Sequence, residues 1–272
     1  MYQKYSIGKM SSLLGLSSEA IRYYESKDII KPMRDPETGY RYYSTWDFHM
    51  LLRARYYQKC GFSLEEVSEL FRSRSLSPIR EALRQQENEI EHEIIYHLNL
   101  LGQVRKSQQM LQDAQDSVGV FRLGKRPGIY RIDTQKNYTL FKDKQQLALI
   151  SEWVEKEPFT FSCAVFHEKD IQEGISRFDF GVGICEEYAE FLHVTEGGPV
   201  QYYPPCLCVH TCVPSRSGRY LTLESLEEGL GYLRKNGLHL AGDVVTQVAC
   251  MTKPDDEYFN WHIVWLPVQD AG

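Results

Sequence analysis

The sequence predicts an α+β protein of 272 residues that is built from three successive parts. Helix start and stop signals crowd residues 1–76, a proline-free apolar repeat follows over residues 77–119, and strand patterns dominate residues 120–272. Hydrophobic residues make up 42% of the chain, enough to fill folded cores, which argues against a disordered protein.

The first part is predicted to contain a helix-turn-helix. Ser6 precedes the apolar segment Ile7–Leu14, which ends at Gly15, and Ser17 or Ser18 can cap a second segment that continues to Ser26. A short hydroxyl side chain satisfies the free amides of a first helical turn. Two short helices joined by a tight turn that contains glycine are typical of a helix-turn-helix.

A β-hairpin wing and two more helices are expected to complete this part. The segment Lys31–Tyr43 combines two prolines, a glycine and aromatic residues that favour strands. The arrangements Ser44–Asp47 and Ser63–Glu66 are both capping boxes, and Gly61 stands where the intervening helix should end. The sequence therefore predicts a winged helix-turn-helix with the order helix, helix, wing, helix, helix.

One long helix is predicted to begin after Ser77, with Pro78 in its first turn and only Gly102 to weaken it. Its apolar stripe steps by three and four residues, through Ile79, Leu83, Gln86, Ile90, Ile94, His97, Leu101, Val104, Gln108 and Leu111. A lone helix would expose this stripe, so we expect a coiled coil between two copies of the chain. Packing of the stripe on the chain's own C-terminal domain remains the alternative.

The third part is predicted to contain the order strand, helix, strand, strand twice. The segments of the first copy are 128–140, a helix around Leu147 to Val154, 159–168 and 176–185, and those of the second are 205–213, 222–236, 243–252 and 258–268. Such a duplicated β-α-β-β domain leaves a crevice between its halves, where small ligands commonly bind.

The charge is distributed unevenly along the chain, whose net value is −6. Residues 1–76 hold twelve Lys or Arg against nine Asp or Glu, whereas residues 120–272 hold fifteen against twenty-one. A basic first part on an acidic body is typical of a phosphate-binding module fused to another domain.

The sequence contains no long apolar run and no secretory signal within residues 1–10. We therefore expect a cytoplasmic protein with no membrane partner. Seven cysteines, an odd number, then indicate free thiols or ligands rather than a disulfide framework.

Five segments of the first part follow one another in a characteristic order: Tyr5–Lys9, Arg22–Glu25, Lys31–Pro32, Gly39–Tyr42 and Cys60–Val67. Together, over residues 4–72, they resemble the N-terminal domain of the MerR family of transcription regulators. The resemblance implies that the second helix enters the major groove of double-stranded promoter DNA. It also implies that the wing grips phosphates.

The residues that this resemblance assigns to DNA contact are Ser17, Ser18, Arg22, Tyr23, Tyr40, Arg41, Tyr42 and Lys59. Backbone amides at a helix start can bind a phosphate, and at least half of protein–DNA hydrogen bonds go to the DNA backbone. We therefore expect the wing residues to position the protein rather than to distinguish bases. A place in the hydrophobic core remains the alternative for Tyr24 and Tyr43.

The resemblance further implies a homodimer that is joined by an antiparallel coiled coil and acts as a transcription activator. Family members bend and underwind an over-long promoter spacer, so that RNA polymerase is affected indirectly, through the promoter. Smooth bending costs on the order of 1–6 kcal/mol, which contacts from two copies can offset. An effector would then shift a two-state equilibrium and change the affinity for DNA only slightly.

The third part more loosely resembles the GyrI-like effector domain of drug-responsive family members, through Phe180–Gly183, the duplicated order and Trp261–Val268. In those relatives a glutamate at the pocket base pairs with cationic ligands. The corresponding position here is Thr246, counted from Gly242, and Gln247 follows.

The effector candidates are Thr246 and the aromatic residues Tyr220, Tyr258, Trp261 and Trp265. Without a carboxylate at the pocket base, we expect a lipophilic or aromatic small molecule, as in multidrug binding, whose charge stays open. Plain core packing stays open for the aromatic residues.

No metal and no cofactor are expected. Metal-sensing relatives carry cysteines at the end of the dimer helix, and this chain has none between Cys60 and Cys163. Cys206, Cys208 and Cys212 share one face of a strand, where neighbours lie roughly 6–7 Å apart, too far for three of them to share one tetrahedral zinc ion without a bulge. A thiol or soft-metal sensor built on them remains a minor alternative.

Two further functions stay open beside the regulator. One is a resistance protein that sequesters a compound and regulates its own gene. The other is an enzyme, since some free-standing GyrI-like proteins resemble hydrolases. An enzyme would need a pocket acid to activate water, and Thr246 and Gln247 supply none. We therefore expect a protein that is not an enzyme.

Overall fold

The computed structural model describes residues 3–136, 139–217 and 221–269 of the chain. The chain divides into two compact units, residues 1–96 and 97–272. The α+β class is confirmed: helices make up most of the first unit, and a large antiparallel sheet forms the second.

The first unit has the predicted order of elements. Its short helices and strands are α1 (Ile7–Leu14), α2 (Ser18–Ser26), β1 (Met33–Arg34), β2 (Arg41–Tyr42), α3 (Thr45–Lys59) and α4 (Leu64–Arg72). The N-cap of α2 is Ser17, whose hydroxyl accepts a hydrogen bond from the amide of Ala20. Strands β1 and β2 pair as an antiparallel hairpin, which is the wing.

Local signals set the ends of these helices. Both predicted capping boxes form, with Ser44 and Asp47 at the start of α3 and Ser63 and Glu66 at the start of α4. Gly61 adopts a φ of +105° between them, a backbone conformation that other residues rarely take. These ends orient the helices around a core in which Met10, Ile21, Tyr43, Leu51 and Val67 are fully buried, with Tyr24 also buried at its edge.

Helix α5 (Leu76–Ser117) has 42 residues, begins one residue before the predicted cap and continues through Gly102. Much of its predicted apolar stripe is exposed in the single chain, with 36% to 52% of the residue surface accessible at Leu83, Ile90, Ile94, Leu101, Val104 and Leu111. Exposed apolar residues repeated along one helix are typical of a surface that pairs with a partner.

The second unit contains ten strands and three further helices within the described residues. The strands are β3 (Arg122–Arg126), β4 (Ile129–Lys136), β5 (Thr139–Leu140), β6 (Thr160–Phe166), β7 (Asp179–Cys185), β8 (Gln201–Tyr203), β9 (Cys206–Arg216), β10 (His239–Leu240), β11 (Val244–Thr252) and β12 (Phe259–Gln269). The helices are α6 (Lys144–Val154), α7 (Glu168–Gln172) and α8 (Glu227–Lys235).

The predicted duplication is visible in the order of the strands, which is β3-β9-β12-β11-β6-β7-β4-β5, with β8 beside β4 and β10 beside β12. One copy is β4-α6-β6-β7, and the other is β9-α8-β11-β12. From the central β6–β11 pair outwards, each copy places its second, third and first strands in the same sequence. The two halves therefore meet at the pairing of Val165 with Val245.

His167 joins the two halves beside this central pair. Its Nε2 lies 2.9 Å from Asp179 Oδ2, and its Nδ1 lies 3.0 Å from Asp243 Oδ2. Burial opposes protonation of the ring, but the two carboxylates outweigh it and raise the pKa of His167. The imidazole therefore links the start of β7 in one copy to the residue before β11 in the other.

The two faces of the sheet are covered by different helices. Val264 and Leu266 of β12 pack on the core that contains Leu233 of α8. The intervening Ile263 and Trp265 belong to a core with Ala114, near the end of α5. Because successive strand residues point to opposite faces, β12 is buried on both sides. The face towards α5 holds the cavity described below.

The second unit also departs from the predicted elements. The segment 128–140 forms two strands, β4 and β5, and the segment 222–236 begins with a 3-10 turn at Leu223–Leu226 before α8. Strands β3, β8 and β10 and helix α7 were not predicted. The strands have two to five residues and are stabilised by pairing with distant strands, so their own sequences carry little alternation.

Candidate functional sites

The exposed side of α2 is the first candidate surface. Arg22 and Tyr23 are both exposed there, with 52% of the Tyr23 surface accessible. Tyr24, the next residue, is buried and donates a hydrogen bond of 2.5 Å to Gln58 Oε1. Arg22 and Tyr23 can therefore contact a partner, whereas Tyr24 and likewise Tyr43 belong to the core.

Some of the hydrogen-bond donors at the start of α2 are already used by a side chain of the same helix. Ser17 and Ser18 lie at this end, as the predicted phosphate contact requires. A hydrogen bond from its own backbone amide, and then one from Ser17, lowers the pKa of Glu19. The Glu19 carboxylate therefore already takes some of the hydrogen bonds that the helix start could offer to a phosphate.

The wing presents aromatic and basic side chains next to α2. The rings of Tyr40 and Tyr42 lie 5.2 Å apart, and the Lys4 ammonium lies 5.4 Å from the centre of the Tyr42 ring. Asp35 shapes the turn between the wing strands by accepting hydrogen bonds from the amide and hydroxyl of Thr38, which lower its pKa.

Arg41 connects the wing to α2. Its Nε lies 3.2 Å from the carboxylate of Glu25, which also lies 3.7 Å from a terminal nitrogen of Arg34. In the described part of the chain, the contacts of Arg41 with other side chains use Nε alone, so its two terminal nitrogens remain available. Glu25 thus orients an arginine that can still bind an anion.

Lys59, the last predicted DNA contact, is the final residue of α3. It is exposed and follows Gln58, whose side chain accepts the hydrogen bond from Tyr24 of α2. It also borders a groove along the first half of α5, beside Arg80 and Arg84.

A cavity of about 510 Å³ lies in the second unit, between the sheet and the last turns of α5. Its apolar wall contains Met110, Phe159, Phe161, Ile263 and Trp265. A smaller cavity of about 350 Å³ shares Met110 and Phe161 with it. The volume and the aromatic lining suit a small organic molecule.

Of the predicted effector residues that the structure describes, only Trp265 lies in the lining of this cavity. Thr246 is fully buried outside it, and its hydroxyl accepts a hydrogen bond of 3.1 Å from the amide of Ala164 on β6. Trp261 packs at the margin of the core beneath the cavity, whereas 54% of the Tyr258 surface is exposed. Tyr220 lies outside the described residues.

Gln247 is the polar cavity residue that sequence analysis did not select. It lines both cavities and is only 7% exposed. The sequence instead predicted its neighbour Thr246 at the base of the pocket, because counting residues from Gly242 does not show which face of the strand borders the cavity.

Charged residues surround the cavity, but the chain supplies a partner for several of them. Lys106 forms an ion pair with Glu187, and Glu186 accepts a hydrogen bond of 2.7 Å from the Tyr202 hydroxyl, which raises the pKa of Tyr202 to about 12. Burial, and then the charge of Arg122, lowers the pKa of His210. The lowered pKa favours the neutral form of the His210 imidazole.

The cysteines of β9 form a compact thiol pair. The Sγ atoms of Cys206 and Cys208 lie 3.5 Å apart. Burial, and then the contact with Cys206, raises the pKa of Cys208 to about 12, and burial raises that of Cys212 to about 11. The thiols of Cys208 and Cys212 are therefore protonated near neutral pH and are poor nucleophiles. Across the described ranges, no group of three or more His, Cys, Asp or Glu residues is arranged so that it could hold a metal ion.

Arg131 is a buried cation that sequence analysis missed. The side chain is fully buried, and its terminal nitrogens lie 2.7 Å from Asp133 Oδ1 and 2.9 Å from Gln201 Oε1. A charged pair two residues apart on a strand was the available signal, since such residues share a face. The contacts stabilise the pairing of β4 with β8 rather than providing an open site.

Within the described residues, no helix is long and apolar enough to cross a membrane.

Comparison with known proteins supports the assignment of the first unit. The family model described as MerR HTH family regulatory protein matches residues 5–74. "Heavy metal-dependent transcription regulator 2" of Rhizobium meliloti (strain 1021) is 36% identical over 94 residues, which are 33% of this chain and 64% of the relative. "HTH-type transcriptional regulator CueR" of Escherichia coli O157:H7 is 38% identical over 65 residues, 24% of this chain and 48% of the relative.

Among solved structures, a cryo-EM structure of an EcmrR-DNA complex in EcmrR-RPo is 14% identical, with a TM-score of 0.39, and the match covers 99% of this chain and 100% of that one. The chain spans about half to two thirds of the length of the two curated relatives named above. The matched range coincides with the winged unit described above, so residues 5–74 form a helix-turn-helix domain of the MerR family.

Proposed function

We propose that this protein is a MerR-type transcription regulator that binds promoter DNA as a homodimer and responds to a small molecule in its C-terminal domain. The observation that carries the proposal is the MerR-type domain at residues 5–74, whose α2 and wing expose Arg22, Tyr23, Tyr40 and part of Arg41. Arginine and tyrosine side chains in this setting can contact DNA phosphates, while α2 enters the major groove.

The dimer is proposed to form through α5, as an antiparallel coiled coil. Its exposed apolar stripe supports this, because a helix of 42 residues with such a stripe is stabilised by burying it against a second copy. Two DNA-binding domains would then hold two half-sites. Contacts at both could offset the cost of distorting an over-long spacer, so that RNA polymerase responds to the altered promoter and not to the protein directly.

The small-molecule part of the proposal depends on the cavity in the second unit. Its volume and its lining by Phe159, Phe161 and Trp265 favour a lipophilic or aromatic effector. The curated relatives are named as transcription regulators, and a regulator of this kind acts in the compartment that holds the DNA. The proposal therefore assigns the cavity to binding rather than catalysis, and the protein to the cytoplasm.

The decisive experiment combines DNase I footprinting on the DNA upstream of the protein's own gene with sedimentation analysis. We expect one protected, nearly symmetric site between two promoter hexamers of unusually long spacing, and a dimer in solution. A protein that sediments only as single chains, or that does not retain duplex DNA at low salt, would contradict the proposal.

A pair of variants separates dimerisation from general effects on the helix. Ile90→Lys places a charge within the exposed apolar stripe and should produce monomers and weaken DNA binding. Asn88→Lys adds the same side chain two residues earlier, on the opposite side of α5, and should remain dimeric. Equal behaviour of the two variants would place the dimer interface elsewhere.

A further inference from the structure

The amide of Gln247 is a recognition group in the cavity for which the described chain provides no partner. We propose that the effector is an uncharged, planar aromatic molecule that carries a neighbouring N–H donor and C=O acceptor, as in a lactam. The inference rests on the proposed function only in taking the cavity as the effector site.

Gln247 lies on β11, opposite Ile263 of β12, and is more than nine-tenths buried. It borders both the 510 Å³ cavity and the adjoining 350 Å³ cavity. Among the described residues, no hydrogen bond occupies its side-chain amide. Because this amide borders the cavities without a protein partner, a ligand that pairs with it gains hydrogen bonds, whereas a ligand that covers it without pairing loses binding energy.

The primary amide offers both a donor N–H₂ and an acceptor oxygen. A cyclic lactam presents the complementary acceptor and donor side by side, so that two hydrogen bonds can form along one edge. The wall beside Gln247 includes Phe161, Ile263 and Trp265, which can pack against the faces of a flat ring. The Gln247 amide thus specifies the polar edge of the ligand, and the aromatic wall specifies its flat ring.

The charged groups around the cavity argue against a cationic ligand. Glu186 and Glu187 are exposed at the rim, where one accepts from Tyr202 and the other pairs with Lys106. Asp113 accepts a hydrogen bond from Gln109 on the same helix. A cation that leaves water for the floor of the cavity needs a buried, unengaged carboxylate, and the described floor provides the neutral Gln247 instead.

The test uses the full-length protein and two bicyclic aromatic probes of similar shape, the neutral lactam 2-quinolone and the cation 1-methylquinolinium. Binding is measured by isothermal titration calorimetry at pH 7.5. We expect 2-quinolone to bind at least about tenfold more tightly, which corresponds to about 1.4 kcal/mol. Tighter binding of the cation, or no measurable binding of 2-quinolone, would overturn the inference.

Three variants locate the preference. Gln247→Leu should lower the affinity for 2-quinolone about tenfold, and Gln247→Glu should reverse the order of the two probes. Gln112→Leu, on the exposed surface of α5 outside the cavity lining, is the matched control and should bind like the unchanged protein. A lactam preference that survives Gln247→Leu would refute the role of this amide.

Binding to the promoter duplex is measured with the same samples. Retained DNA binding together with a failed lactam test would reject the ligand class alone. Loss of DNA binding by the unchanged protein would instead reject the proposed function.

Discussion

Replacing Arg41 by alanine tests whether the wing binds DNA phosphates. Each phosphate contact on duplex DNA contributes about −0.9 to the slope of log K against log salt concentration. A dimer carries two wings, so Arg41→Ala should make that slope shallower by about 1.8. Because phosphates carry no sequence information, the affinities for a promoter duplex and for a scrambled duplex should fall by similar factors.

The loss of the Arg41–Glu25 ion pair should affect the fold only slightly. Arg41 is 36% exposed and Glu25 20% exposed in this pair, and partly exposed pairs contribute about 0.2–1 kcal/mol. A thermal melt of the variant should therefore stay close to that of the unchanged protein. The weaker DNA binding can then be assigned to the missing phosphate contact rather than to unfolding.

Fluorescence anisotropy with a labelled duplex over a salt series measures the slope directly. Arg41→Lys keeps the positive charge and should keep most of the slope. Arg72→Ala is the matched control, because Arg72 also pairs with a carboxylate, Asp28, at 3.2 Å, but lies at the end of α4 rather than on the wing. An unchanged slope for Arg41→Ala, or equal flattening for Arg72→Ala, would refute the reasoning.

Two further predictions concern stability. Gly61→Ala should lower the free energy of unfolding by about 1–3 kcal/mol, because Gly61 has a φ of +105° that alanine rarely adopts. Gly8→Ala, in open space on α1, should instead raise the free energy of unfolding by about 0.5–1 kcal/mol. Denaturant titration measures both changes, and equal effects of the two substitutions would contradict the argument. Burial lowers the pKa of His262 to about 4 from its ordinary 6.5. Between pH 6.5 and 4, His262 is therefore protonated in the unfolded chain but neutral in the folded chain. The free energy of unfolding should consequently fall by about 3 kcal/mol as the pH falls from 6.5 to 4. His262→Gln should lack that loss, and identical pH profiles for the two proteins would contradict it.

The sequence was sufficient for the first unit because its structural signals are local. Ser44 with Asp47 and Ser63 with Glu66 fix helix starts within four residues, and Gly61 marks a turn by its own backbone freedom. The sequence could not show that Glu25 holds Arg41, because that contact joins residues 16 positions apart across α2 and the wing. Arg41 therefore looked free, although one of its nitrogens is already engaged.

In the second unit, local sequence patterns predict some elements but not others. Its duplicated order could be predicted because each strand and helix has a recognisable length and composition. The short strands β3 and β8 could not, because their pairing with β9 and β4 supplies their stability. Arg131 was missed for the same reason, since its partner Gln201 is 70 residues away.

The choice between Thr246 and Gln247 depends on a single alternation along β11. In a strand that is exposed on one side, polar and apolar residues alternate and reveal which face is buried. Strand β11 is covered on both faces, so Val244 and Val245 are equally apolar although they belong to different cores. The α5 core contains Val245, and the residue two places further along the same face is Gln247. It follows that strand register decides which polar group faces the cavity. A shift of β11 by one residue would replace the amide of Gln247 with the hydroxyl of Thr246, which already accepts a hydrogen bond from the amide of Ala164.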